Sequence, residues 1–186
     1  HCIFNHFTMK TIKVLDKEFE LYISQETIES HIQEVADQIS QDMAGKNPLF
    51  LVILNGAFMF ASELFKRLKF PCEVSFVKLT SYLGTQSTNV VRELIGLDHS
   101  LEGRHVVIVE DIVETGHTMR HTVQKIKGLG AADVRIATLF FKPEAFQYDY
   151  PIHYQGMTIG NEFIVGYGLD YNQQGRNLPA IFKIIE

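Results

Sequence analysis

Cysteine is scarce here: among 186 residues only Cys2 and Cys72 carry thiols. They lie far apart and lack metal-ligand spacing, so they read as free thiols in a reducing cytosol, and a cytoplasmic protein is expected. A long apolar run is also missing. The most apolar stretch, residues 49–61, is too short to span a bilayer and is interrupted by Asn55 and Gly56, so a soluble protein with no membrane partner is expected. Lys and Arg total 17 against 22 Asp and Glu, a formal charge of −5. No basic stripe follows any expected element, which argues against a nucleic-acid partner. Neither the G-x-x-x-x-G-K-[ST] loop nor G-x-G-x-x-G is present, and there is no internal repeat or low-complexity segment. His117 and His121 are four apart, but the run HTMRH lacks the Glu of H-E-x-x-H and has no evident third ligand, so a zinc site is not expected.

What is present is an ordinary balance for a globular chain, 46% hydrophobic and 21% charged, with a length suited to one domain, 1–186, and a sizeable core. Residues 1–8 (HCIFNHFT) continue no pattern, and Met9 would make a natural start. They read as a leader, an expression remnant or a true extension, and are left out of fold reasoning. Residues 13–23 suit a small hairpin around Asp16-Lys17. Ser24 then stands as an N-cap for a helix whose apolar face is Ile28, Ile32, Val35, Ile39 and Met43, closed by Gly45 and Pro48. Strands are expected at 49–54, 73–80, 106–109, 134–141, 163–168 and 180–185. Strands alternating with helices imply an α/β fold, with a central, mainly parallel sheet flanked by helices and ligands at the C-terminal ends of the strands.

The richest stretch is VVIVEDIVETGHTM, residues 106–119. Four apolar residues make a strand buried on both faces, ended by Glu110 and Asp111. A turn with Thr115 and Gly116 follows, and a helix opens with Met119, Val123, Ile126 and Leu129 on one side. A strand, a small-residue turn and a helix N-terminus together form an anion site, because unpaired N–H groups and the helix dipole converge there. Acidic residues beside such a site suit a ligand with both phosphate and hydroxyls. Glu110 and Asp111 would accept hydrogen bonds from sugar hydroxyls or hold a hydrated Mg²⁺. From spacing alone, the same residues also read as a plain βα connection.

Other polar groups fall at expected strand exits as well: Asn55-Gly56, Ser81-Tyr82, Lys142 and Asp170. Taken singly, Asn55-Gly56 is a turn, residues 81–92 a solvated connector or a lid, and Lys142 a surface charge. Their shared end of the sheet is what favours a site.

The run EDIVETGHT resembles the ribose-phosphate signature of the type I phosphoribosyltransferases. The order of Lys142 after a strand, then FIVGYGLDYN, then Arg176, resembles the hypoxanthine–guanine branch of that family across most of residues 49–176. The resemblance implies the type I phosphoribosyltransferase fold with a small hood lobe from the chain ends, and a homodimer or homotetramer. It implies purine salvage: Mg²⁺-dependent transfer of 5-phosphoribosyl from phosphoribosyl diphosphate to hypoxanthine or guanine, releasing pyrophosphate. By the same resemblance, Glu114 is the acid/base at purine N7, one methylene longer than the family's usual Asp. Thr115, Gly116, His117 and Thr118 bind the 5′-phosphate, and Glu110 and Asp111 the ribose. Asn55, Gly56, Ser81, Tyr82 and Arg176 meet pyrophosphate, with Asn55 standing where relatives often carry Lys or Arg. Lys142 donates to the purine 6-oxygen, Phe163 stacks on the base, and the backbone around Ile164 and Asp170 meets its 2-position. Asp170, with Glu110 and Asp111, is the expected metal-binding set. Two rival readings are a regulator of the same fold that senses phosphoribosyl diphosphate, and a Rossmann-like nucleotide module without chemistry. The first would carry a helix-turn-helix or a basic surface, which this sequence does not display, and the second would not need Lys142 and Asp170 at their exits. A xanthine-preferring enzyme stays open.

Overall fold

Residues 49–53 and 106–109 are apolar without interruption, so neither strand can leave a face in water, and both lie in the middle of a sheet. A computed structural model of the chain describes residues 10–83, 90–98 and 100–186, with 81–83 and 90–93 described by their backbone alone. In chain order the elements are β1 (Thr11–Val14), β2 (Lys17–Ile23), α1 (Gln25–Met43), β3 (Leu49–Leu54), α2 (Phe58–Lys66), β4 (Glu73–Leu83) and β5 (Val90–Ile95), followed by β6 (His105–Val113), α3 (His117–Gly128), β7 (Asp133–Phe141), β8 (Tyr154–Thr158), β9 (Ile164–Val165) and β10 (Ile181–Ile184). The main sheet has the order β5-β4-β3-β6-β7-β8; all neighbours are parallel except the antiparallel pair β4 and β5.

The pleat divides the central strands between two cores. Phe50, Val52, Val107 and Val109 face α1 and α2, while Leu49, Leu51, Val106 and Ile108 face the side covered by Met119 and Ile126 of α3. Helix α1 follows the expected pattern: Ile28, Ile32, Val35, Ile39 and Met43 are all buried, and the Ser24 hydroxyl accepts from the Thr27 N–H at 3.2 Å. A second sheet, β1-β2-β10-β9, is built from the two ends of the chain and corresponds to the hood lobe.

Four expectations change. Strand β6 does not end at Glu110 and Asp111 but runs to Val113, because β7 stays beside it through Ile112↔Phe140 and Val113↔Phe141. Its pairing with β3 stops at Val109. The carboxylates therefore sit on a strand that has lost its neighbour on one side, and the opening is there. The expected strand 163–168 shrinks to Ile164–Val165, since Gly166, Tyr167 and Gly168 all take left-handed φ values (107°, 46° and 98°) and the chain turns. Strand β8, YQGMT, was not expected; it is a short edge strand without a hydrophobic run. The segment 81–92 is not all loop. Backbone pairing continues through Ser81↔Arg92, Tyr82↔Val91 and Leu83↔Val90, so only 84–89 connects the two strands, and those residues, like the expected leader 1–8, lie outside the described residues.

Removing the α1 cap with Ser24→Ala should lower stability by about 1 kcal/mol, read as a reduced urea midpoint at unchanged m-value.

Candidate active site

Three backbone segments meet where β3 and β6 part. The turn after β3 brings Gly56 against Asp111, so closely that a Cβ on Gly56 would overlap the carboxylate, 2.6 Å from its Cγ. On the other side, a Cβ on Gly168 would overlap the Gly56 carbonyl, 3.2 Å from its carbon. Gly168, left-handed and against backbone, admits only glycine, and a side chain at Gly56 would displace the Asp111 carboxylate. Gly168 is in turn held by Arg176, whose Nη1 donates to the Gly168 carbonyl at 2.8 Å while Nη2 pairs with Asp170 Oδ1 at 3.3 Å. Asp170 Oδ2 also accepts from the Gln173 N–H at 2.8 Å. Asn55-Gly56, Asp111, Asp170 and Arg176 are thus neighbours, although they come from three separate parts of the chain.

Glu110, buried, and Asp111, half-buried, form an adjacent pair. The Asp111 N–H donates to Glu110 Oε1 at 3.1 Å and the Ile112 N–H to Asp111 Oδ1 at 2.8 Å. Burial holds the Glu110 carboxyl well above the usual carboxylate range, and the adjacent Asp111 charge adds to that rise. Burial raises Asp111 too, partly offset by hydrogen bonds from Glu110 and the Ile112 N–H and by the nearby Arg176 charge. With residues 112–116, Thr118 and Met119 the pair lines a cavity of about 250 Å³. One edge of the cavity is the start of α3, where Gly116 (φ 86°) stands at the N-cap and has no side chain to cap the helix, and no acidic residue lies in the first turn. That leaves an electropositive helix end facing the cavity. Thr115 Oγ1 accepts from the His117 N–H at 3.4 Å. The His117 ring points elsewhere, hydrogen-bonded through Nδ1 to the Tyr148 hydroxyl, so His117 offers the cavity its backbone only.

Beyond the cavity, Lys142 and Glu114 face one another. The Lys142 N–H donates to the Val113 carbonyl at 3.0 Å, which ties the exit of β7 to that of β6. Lys142 is buried, and its Nζ lies 3.7 Å from Glu114 Oε1 and 3.3 Å from the Glu162 carbonyl. Next to Glu162, the Phe163 ring is 46% exposed and backed by Phe19 and Tyr171, with centroids 6.2 and 5.8 Å away. Ile164 is buried in β9, with its backbone paired to β10. The side chains of Ser81 and Tyr82 lie outside the described residues. Sequence reasoning overlooked Gly168 and the segment 146–150 behind Gly116. The G-x-G of GYGLD was a legible cue for the first, whereas nothing local marks the second.

Among the described residues, no cluster of three or more His, Cys, Asp or Glu is arranged to hold a metal. The donors present are carboxylate oxygens, the hard ligands Mg²⁺ prefers, and one or two of them suffice when the ion arrives with substrate phosphates. Also among the described residues, no helix is long and apolar enough to cross a membrane.

The mixed sheet carries an acidic strand exit beside a helix start, and the family model for the phosphoribosyl transferase domain matches residues 22–172. The chain belongs to the phosphoribosyltransferase family. The hypoxanthine-guanine phosphoribosyltransferase of Streptococcus thermophilus (strain CNRZ 1066) is 41% identical over 170 residues, covering 90% of this chain and 94% of that protein. The enzyme of the same name from Lactococcus lactis is 39% identical, covering 91% and 93%. Among solved structures, a hypoxanthine-guanine phosphoribosyltransferase from Bacillus anthracis superposes with a TM-score of 0.80 at 31% identity, covering 89% of this chain and 96% of that one.

Because Glu110 and Asp111 hold protons more tightly folded than unfolded, their effect on stability is nil below the ordinary carboxylate range and increasingly unfavourable as pH rises above it. Glu110→Gln cannot ionise. Its melting temperature should match the wild type near pH ~4 and exceed it at neutral pH, as followed by thermal melts across that range.

Proposed function

We propose that this protein works in purine salvage, transferring the 5-phosphoribosyl group of phosphoribosyl diphosphate to hypoxanthine or guanine and releasing pyrophosphate. The observation that carries the reading is the approach of Lys142 to Glu114, 3.7 Å apart beside the exposed Phe163 ring. A purine stacked on Phe163 meets a donor and a carboxylate on one edge. The Lys142 ammonium donates to a 6-oxygen; a 6-amino group would set donor against donor, so adenine is rejected. Glu114 then takes the proton that N7 releases as N9 bonds to the anomeric carbon. Its extra methylene, relative to Asp, lets it reach Lys142 before the base arrives, and the base replaces that contact.

The remaining groups manage charge. The start of α3, with Thr115, Gly116, His117 and Thr118, receives the 5′-phosphate, and Glu110 and Asp111 accept from the ribose hydroxyls. The backbone of Asn55-Gly56, with Arg176, receives pyrophosphate, and Asp170 and the acidic pair would hold Mg²⁺ carried by the diphosphate. When bound, Mg²⁺ neutralises charge that develops on the leaving pyrophosphate. Ser81 and Tyr82 would cover the site and keep water from the ribosyl cation. The family membership and the names of the relatives support this reading, as does the geometry around Lys142.

The test is nucleotide formation from phosphoribosyl diphosphate and Mg²⁺ with hypoxanthine, guanine, xanthine and adenine in parallel. Hypoxanthine or guanine should react and adenine should not, and Glu114→Gln should lower kcat by about 10²–10⁴-fold. Turnover of adenine, or binding of phosphoribosyl diphosphate without turnover of any base, would refute it.

A further inference from the structure

The cavity side of the phosphate turn is exposed to its ligand, but its rear is braced by residues 146–150, far along the chain. Gly116 takes φ 86°, and a Cβ there would fall 2.7 Å from the Tyr150 hydroxyl oxygen and 2.8 Å from Phe146 Cδ2. The Gln147 N–H donates to the Thr115 carbonyl at 3.0 Å. The Tyr150 hydroxyl donates to the Gly116 carbonyl, which also accepts the first helical bond, from the Arg120 N–H at 3.0 Å. Tyr150 itself is wedged by Phe146, whose ring packs edge-on at 5.1 Å, and by Tyr148 at 5.6 Å.

These bonds orient two successive peptide planes. In a trans peptide the C=O and N–H point in opposite directions. Drawing the Thr115 carbonyl towards Gln147 therefore turns the Gly116 N–H forwards, and drawing the Gly116 carbonyl towards Tyr150 turns the His117 N–H forwards. Consistent with this, the His117 N–H points at Thr115 Oγ1, on the cavity wall. Adjacent N–H groups aimed at one point form an anion-binding nest. A left-handed glycine leaves its peptides easily turned, and the contacts from Gln147 and Tyr150 add a tether to the helical bond from Arg120.

We propose that Tyr150 is a positioning residue for the 5′-phosphate, acting through the Gly116 carbonyl and touching no substrate. This inference rests on the phosphoribosyl-transfer reading above. It makes the hydroxyl, not the ring, the functional part of the side chain. Burial pushes the Tyr150 phenol up to about 12, so it stays a donor throughout the working range of such an enzyme.

The experiment compares wild type with Tyr150→Phe, which keeps the ring on Phe146 and loses only the hydroxyl. Affinity is measured for inosine 5′-monophosphate and for inosine, which lacks the phosphate, alongside the KM values for phosphoribosyl diphosphate and hypoxanthine. The expected result is about 5- to 10-fold weaker binding of the monophosphate, the scale of one hydrogen bond, with inosine affinity unchanged. The KM for phosphoribosyl diphosphate should rise in step while that for hypoxanthine holds. Equal loss for both ligands would mark Tyr150 as merely structural and overturn the proposal, as would no loss for either. Wild type that binds the monophosphate no better than inosine would overturn the transferase reading and this inference together. Tyr150→Leu, lacking ring and hydroxyl, should show at least the same phosphate-dependent loss even if its melting temperature falls.

Discussion

The contact between the Asp111 carboxylate and the bare face of Gly56 governs the geometry around it. It needs β6 to continue past the last residue paired with β3, and it needs the turn after β3 to fold back without a side chain. The Gly56 carbonyl is pressed in turn by Gly168, so the segment carrying Asp170 and Arg176 is set against the same turn. Three distant stretches of chain are locked into one rim by the absence of two Cβ atoms. A larger residue at Gly168 would push the segment that carries Arg176 off the Gly56 turn, and one at Gly56 would displace the Asp111 carboxylate.

The rim can be this tightly defined because the sheet beneath it is rigid. Phe50, Leu51, Val107 and Ile108 are fully buried, with α1 and α2 on one face and α3 on the other. Close-packed interiors of this kind resist adjustment, so the departure of β3 from β6 opens a fixed gap and not a fluctuating one. Into that gap the chain puts two adjacent carboxyls, at a cost to stability because burial disfavours their charged forms. A core built only for stability would not hold them there. The cost makes sense where a ligand's hydroxyls or cation supply what water cannot.

Charge is handled differently a few ångströms away. Lys142 is buried, yet its ammonium has the Glu162 carbonyl and the half-exposed Glu114 for company. The Glu114 side chain is 53% exposed, so it can move at little desolvation cost, and the Glu162 carbonyl remains beside the Lys142 ammonium when it does.

Much of this was legible in the sequence, because local rules carried it. The amphipathic face of α1 with its Ser24 cap, the hairpin around Asp16-Lys17, the buried strands and the acidic strand–turn–helix stretch each depend on residues within about a turn or two of one another. Groups at successive strand exits were expected to share one end of the sheet because strands alternating with helices run parallel. Tertiary structure decided the rest. Where β6 stops depends on β7 remaining beside it, which no pattern within residues 106–113 encodes. Edge strand β8 owes its existence to β7 and not to a hydrophobic run of its own. Residues 163–168 look like a strand by composition, but Gly166, Tyr167 and Gly168 turn, and the turn sets Gly168 against the Gly56 carbonyl. Tyr150 and Gly116 are 34 residues apart, and a hydrogen bond between them has no periodicity to announce it. Spacing along the chain determines which residues share a face; only the packed fold determines which faces meet.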